Sequence, residues 1–284
     1  MEPTEITEAS LDLAALTKTS NAHKYTHGHV LILTGGPGKT GAARLAARGA
    51  LRIGAGLVTL GCPHPALFEV AAQTTAIMCR PLDGAPGLAE ALEDKRLNAL
   101  CLGPGLGLGP DTQALVLAAL KAARATVLDA DALTRFQTRP DLLFEALHAA
   151  CLLTPHQGEF ARLFPDLAEA IPAQGPAASV RAAAARAGCT VLLKGAETHI
   201  ADESGQAHVV RNTGEHAAPW LATAGSGDVL AGFATGLMAR GMSPLKAAGT
   251  AAWLHGAAAR RFGPGLIAED LPESLPKVFA DLGL

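Results

Sequence analysis

Aromatic residues are scarce in this chain: two Trp, one Tyr and eight Phe make up 4% of its 284 residues. A core built largely without them rests on Ala, Leu, Val and Gly, which suits helices packed closely on a sheet. Charge is sparse too, at 17% Asp, Glu, Lys and Arg with a formal net of −3. With no block of basic residues, the chain offers no basis for a nucleic-acid partner. Its cysteines, Cys62, Cys79, Cys101, Cys151 and Cys189, are odd in number, widely spaced and free of any C-x-x-C pair. Neither a disulfide framework nor a zinc site is indicated, and they read as small core residues. No uninterrupted apolar run reaches bilayer-spanning length. Residues 1–20 are acidic and lack the basic start and apolar centre of a signal peptide. The expectation is a soluble cytoplasmic protein with no membrane partner.

What is present is an alternation of short apolar runs and helix-like stretches. Val30–Leu33 and Leu57–Leu60 read as buried strands, with others around 76–78, 99–102, 126–128, 151–153 and 191–193. Gly41–Ile53 has the composition of a helix, and 11–22 reads as an arm or short helix. Such alternation calls for a mostly parallel sheet with helices on both faces. Residues 198–201 and 208–210, joined through Asp202-Glu203-Ser204-Gly205, read as an antiparallel hairpin at one edge. After Gly225 the pattern is helical to the end. With no linker or repeat from 30 onward, the expected organisation is residues 1–22 leading into one catalytic domain, 23–284.

Each strand ends in a Gly- or Pro-rich break, or in Asp129-Ala130-Asp131. In an open parallel sheet, ligands bind beyond the carboxyl ends of the strands, so five such loops point to a large, extended ligand. The sharpest motif is Gly225-Ser226-Gly227-Asp228, which opens a long Ala-rich helical run. Small residues there let backbone N–H groups turn toward an anion at the positive end of the helix dipole. Asp228 would stand beside the bound anion, placed to act as a base. The bland reading is a loop feeding a capped helix.

Other features carry paired readings. Gly36-Pro37-Gly38-Lys39-Thr40-Gly41 fits G-x-G-x-x-G, but no acidic residue closes the second strand; Gly38-Lys39-Thr40 resembles a P-loop lacking its leading glycine. His23, His27 and His29 lack a Cys, Asp or Glu at metal-ligand spacing and read as loop partners. Asp129 and Asp131 fit a carboxylate pair or helix capping. Lys194-Gly195 is a turn or a phosphate contact. His199 and His208 read as one face of the hairpin.

Taken together, the residues resemble the ribokinase-like superfamily, and more narrowly the ADP-dependent NAD(P)H-hydrate dehydratases. The segments that carry the resemblance are His23-Lys24, Gly28–Leu31, Gly35-Gly36, Gly41–Ala43, Arg52–Val58, Leu102–Gly107, Asp129–Leu133, Leu153–His156 with Gly158-Glu159, Leu193–Ala196 with Thr198, and Ala222–Gly232. They span most of the chain. The resemblance implies a three-layer α/β/α ribokinase-like fold with a mostly parallel central sheet and an antiparallel edge hairpin.

It also implies a repair lyase. The S epimer of NADH or NADPH hydrate would be phosphorylated on its ring hydroxyl by the β-phosphoryl group of ADP. Phosphate would then leave, giving NAD(P)H and AMP. By family position, Ala42, Gly107, His156 and Asp228 would contact the hydrate, and Lys194, Gly195, Ala196, Glu197, Thr198 and Gly227 the adenine nucleotide. Asp228 would be the base, with Gly225, Ser226 and Gly227 as the anion hole. Mg²⁺ is implied; Glu159 is its candidate organiser, although His156 stands where ribokinase-like kinases carry Asn. A homo-oligomer, commonly a tetramer, is implied. Only residues 1–22 precede the match, so use of the R epimer is expected to depend on a separate epimerase.

The Pro37-Gly38-Lys39 loop and the Glu215–Leu221 approach depart from the family, and Trp220 fits a ring-stacking, core or interface role. Two rival functions follow from the same motif. One is a small-alcohol kinase of the hydroxyethylthiazole or hydroxymethylpyrimidine type, which would leave a stable phosphorylated product. The other is a nucleotide sensor without turnover, which the intact Asp228 argues against.

Overall fold

The computed structural model describes residues 2–284. Ten strands form one sheet: β1 (Thr4–Glu5), β2 (His29–Leu33), β3 (Leu57–Cys62), β4 (Met78–Pro81), β5 (Leu97–Leu102), β6 (Ala125–Leu128), β7 (Cys151–Leu153), β8 (Thr190–Leu193), β9 (Glu197–Ala201) and β10 (Ala207–Arg211). Their order across the sheet is β1-β10-β9-β8-β7-β6-β5-β2-β3-β4. Every neighbouring pair from β4 to β8 is parallel. β9 runs against both β8 and β10, and β1 lies parallel to β10.

The central strands are apolar at nearly every position because both faces are covered. Val30 and Ile32 of β2 point into one core while Leu31 and Leu33 point into the other. The first core is closed by helices Gly41–Arg52, Ser226–Ala239, Pro244–Phe262 and Asp270–Asp281, which contribute Ala43, Phe233, Leu254 and Leu275. The second is closed by Gly84–Ala91, Pro110–Lys121, Gln157–Leu163 and Pro176–Ala187, through Leu88, Val116, Phe160 and Val180. The result is three layers with helices on both sides of a mostly parallel sheet, as the alternation in sequence predicts. Pro110, Pro176 and Pro244 each sit at a helix start, where a fixed φ helps and a missing N–H costs nothing.

Ala and Gly substitute for aromatics by letting helices approach. The Gly41–Arg52 and Ser226–Ala239 helices touch backbone to backbone, so that a Cβ on Gly232 would lie 2.1 Å from the Ala46 carbonyl. This contact fixes the start of one helix relative to the other.

The expected hairpin spans 197–201 and 207–211, with Ala207 opposite Ala201. The strand expected around 76–78 begins at Met78 instead; it is an edge strand whose half-buried Arg80 masks the apolar signal. In 11–22, only Leu13–Leu16 is α-helical. Arg240 donates to the carbonyls of Ala15, Leu16 and Thr17 and pins that turn against the body of the protein. The strand at Thr4–Glu5 was not anticipated.

Candidate active site

β2, β5, β6, β7 and β8 are neighbours in the sheet, so the loops that follow them stand side by side at its carboxyl edge. Gly103 ends β5 at φ 130°, and a Cβ there would sit 1.7 Å from the Asp129 carbonyl. Only glycine lets the β5 and β6 loops meet so closely. Beside it, Ala130 holds φ 47°, a left-handed value that is costly for a residue with a Cβ. That strained residue separates Asp129, which is buried, from Asp131, which opens a short helix. Asp131 Oδ2 accepts the Gly107 N–H at 2.7 Å, tying the second loop to the third.

Lys194 leaves β8 and enters this acidic ring. Its Nζ donates to Asp129 Oδ1 at 2.7 Å and lies 4.0 Å from Glu159 Oε2. Burial pulls the ammonium pKa down, but Asp129 and then Glu159 and Asp228 hold it above its ordinary value. His156 and Lys194 form an isolated parallel bridge, so the β7 and β8 loops run together. His156 caps the Gln157–Leu163 helix: its Nδ1 accepts the N–H groups of Gly158 and Glu159, at 2.9 and 3.3 Å. Glu159 answers by accepting the His156 N–H at 2.8 Å, a reciprocal capping box.

The Gly225-Ser226-Gly227-Asp228 turn closes the ring from the last third of the chain. Gly225 takes a left-handed conformation at φ 87° as the cap of the Ser226–Ala239 helix. A Cβ on Gly227 would lie 3.3 Å from Lys194 Nζ, so the lysine sits at the mouth of this helix. Asp228 stands in the first turn. Burial pushes its carboxyl pKa up to about 7, with Asp129 adding to the rise, Lys194 opposing it, and Asp131 and Glu159 contributing further. A carboxylate with that setting can take a proton near neutral pH.

A cavity of about 620 Å³ opens on one side of the turn and is lined by His156, Lys194, Gly195, Ala196, Thr198 and Gly227. The Glu197 side chain turns outward instead, to Arg211 at 3.2 Å. Ala42 does not line this cavity; it stands at the start of the helix whose Leu45 meets Gly225 and whose Ala46 packs on Gly232. The loop before it is braced by Glu69, which accepts the Gly38 N–H at 2.7 Å and the Thr40 hydroxyl. Trp220 is 47% exposed and lines a smaller pocket with Gly265, Leu266 and Ile267. His29 is occupied with Thr59 at 2.8 Å, away from these loops.

Sequence reasoning missed Glu69, Asn212 and His255. Asn212 and His255 line the 620 Å³ cavity together with Ala217, Pro219 and Leu221. The one signal in the sequence for any of them is His255, a lone histidine within the Ala-rich stretch 247–259.

The family model described as NAD(P)H-hydrate dehydratase matches residues 30–277. The chain is 40% identical, over 280 residues, to the bifunctional NAD(P)H-hydrate repair enzyme of Moorella thermoacetica, covering 93% of this chain and 52% of that protein. It is 38% identical to the ADP-dependent (S)-NAD(P)H-hydrate dehydratase of Neisseria meningitidis, covering 85% of this chain and 79% of the relative. The solved ADP/ATP-dependent dehydratase of Bacillus subtilis, co-crystallised with ATP and Mg²⁺, superposes with a TM-score of 0.81 at 26% identity, over 99% of each chain. This chain therefore spans about half the length of the bifunctional relatives and most of the length of the single-activity ones.

Proposed function

The chain belongs to the NAD(P)H-hydrate dehydratase family, and from that premise we propose that it restores NADH and NADPH from the S epimers of their hydrates, using ADP. The observation that carries this reading is Asp228. Its carboxyl, poised at about 7, sits in the first turn of a glycine-capped helix beside Lys194 and a nucleotide-sized cavity.

In this reading the adenine nucleotide occupies the 620 Å³ cavity with its phosphates toward Gly227 and Lys194. The dinucleotide hydrate lies across the loops of Ala42, Gly107 and His156. Asp228 takes the proton of the ring hydroxyl, and the freed oxygen attacks the β-phosphorus of ADP. The bond to the bridging oxygen breaks and AMP departs. N–H groups of Gly225 and Gly227 and the Lys194 ammonium face the charge on the transferred group, whereas the Ser226 N–H already donates to the Thr223 carbonyl at 3.4 Å. Phosphorylation makes the ring oxygen a good leaving group. The ring nitrogen's electron pair expels phosphate, and loss of the neighbouring carbon-bound proton restores the double bond. The balance is hydrate plus ADP giving NAD(P)H, AMP and phosphate.

Among the described residues no three Asp, Glu, His or Cys side chains gather as a metal cage would need. The acidic ring suits a magnesium ion carried in on the nucleotide phosphates, which keeps its waters and meets the protein through few carboxylates. Asp129 and Glu159 are the side chains beside which it would lie. When bound, the ion neutralises charge on the phosphoryl oxygens.

The same reading includes a single catalytic domain over 23–284, a cytoplasmic homo-oligomer, and supply of the R epimer's hydrate through an epimerase. No helix among the described residues is long and apolar enough to cross a membrane. The test is to mix the purified protein with NADH hydrate, ADP and Mg²⁺, following dihydronicotinamide absorbance and AMP. Recovery of NADH with stoichiometric AMP is expected; folded protein that gives neither would overturn the proposal.

A further inference from the structure

Two polar side chains on the wall of the nucleotide cavity, Asn212 and His255, take no part in the steps described above. Asn212 follows β10, and its backbone N–H donates to the Ala196 carbonyl at 2.8 Å. Its side-chain Oδ1 accepts from Arg260 Nη1 at 3.0 Å. A guanidinium can only donate, so the oxygen must face Arg260 and the Nδ2 amine is turned away from it. The amide also lies hard against the Pro244–Phe262 helix: a Cβ on Gly256 would come within 2.1 Å of Oδ1. Asn212 is thus held in one orientation with a donor left over.

His255 is the residue before Gly256, buried at 6% exposure. Its Nε2 lies 2.9 Å from the Ser226 carbonyl. A carbonyl only accepts, so Nε2 carries the proton and Nδ1 presents a lone pair. Burial lowers the ring's pKa to about 4, which keeps it neutral under ordinary conditions. Both residues line the same cavity, whose other walls include Ala217, Pro219, Leu221, Leu230 and Ala252, apolar surfaces that suit a flat ring.

We propose that Asn212 and His255 select the base of the nucleotide, the His255 Nδ1 lone pair accepting from the 6-amino group of a purine and Asn212 Nδ2 donating to a ring nitrogen of the same edge. The inference rests on the nucleotide reading of this cavity. A 6-oxo purine would set an oxygen lone pair against that of Nδ1, leaving both buried and unpaired. Sites built to hydrogen-bond a substrate group reject analogues that lack it far more strongly than apolar pockets do. Arg260 is a positioning residue in this arrangement, since it fixes which end of the Asn212 amide faces the base.

The experiment is titration calorimetry of the intact protein with ADP and with IDP, which differ at the 6-position of the base and at N1. The wild type is expected to bind ADP about 10- to 100-fold more tightly than IDP, the effect of one or two mispaired buried groups. His255→Phe fills the same space without the acceptor, and its ADP-to-IDP ratio should collapse toward unity. Asn212→Ala should weaken ADP while leaving Ser226 untouched, which covers the case in which the first variant fails to fold. Equal affinity for ADP and IDP in the wild type would overturn the proposal, as would an unchanged ratio in the folded variants. Wild-type protein that binds neither nucleotide and turns over no NADH hydrate would remove the nucleotide reading as well.

Discussion

Lys194 and Asp129 meet at 2.7 Å beneath the mouth of the Ser226–Ala239 helix, with 18% and 2% of their side chains exposed. A pair this buried is seldom a source of net stability, because desolvation consumes much of the attraction. Its value is positional. The ammonium is held where it bears on Asp228 and on any anion bound at Gly227.

Breaking that pair separates its two consequences. Lys194→Met leaves Asp129 buried without a partner and should destabilise the fold by about 3–5 kcal/mol, measurable by denaturant unfolding. It also removes the charge that lowers the Asp228 pKa, so the acid limb of the pH–rate profile should move to higher pH in whatever activity remains.

The wild-type profile itself follows from Asp228. As a base it must be ionised, and its carboxyl is held at about 7. With both substrates below saturation, kcat/KM should fall about tenfold per pH unit on the acid side of that value. Asp228→Asn should lose roughly 10²–10⁴-fold in turnover with nucleotide binding largely kept. Unaltered turnover in that variant would assign the base elsewhere.

The same carboxyl makes stability depend on pH in the absence of substrate. In the unfolded chain Asp228 ionises near 3.8, whereas the folded chain keeps the proton up to about 7. Proton binding therefore favours the fold below the unfolded value, and this contribution is lost as pH rises through the folded one. Asp228→Asn has no such proton. Its melting temperature should gain on that of the wild type steadily across the interval and then level off.

Gly232→Ala tests the contact that positions Ala42. The added methyl would meet the Ala46 carbonyl at 2.1 Å, which only a shift of a helix can relieve. Overpacking of this kind costs about 1–3 kcal/mol. The displaced Gly41–Arg52 helix should raise KM for the hydrate more than for ADP, since no residue of that helix lines the nucleotide cavity.

Much of this architecture is legible in the residues. β2, β5 and β7 announce themselves as short apolar runs because both faces of the sheet are covered. β4 is shifted because an edge strand tolerates Arg80, and β1 is hidden because Thr4 and Glu5 carry no apolar period. In the site, the Gly-Ser-Gly-Asp turn is visible because glycine and aspartate have few other reasons to stand together before a helix. Asn212 and His255 are not, since each gains meaning only when β10 and the Pro244–Phe262 helix close one cavity. The left-handed Ala130 was equally hidden, for nothing marks an alanine as strained until its neighbours are in place.

β1, two residues long, has a further consequence. It registers Thr4 with His208 and Glu5 with Val209, and the Ile6 N–H continues the pairing to the Val209 carbonyl. Without it, β10 would present its unpaired N–H and C=O groups to solvent, a template on which other chains can assemble. The Thr4–Ile6 segment thus covers that edge of β10. Fusions or deletions that strip it away put solubility at risk before they touch chemistry.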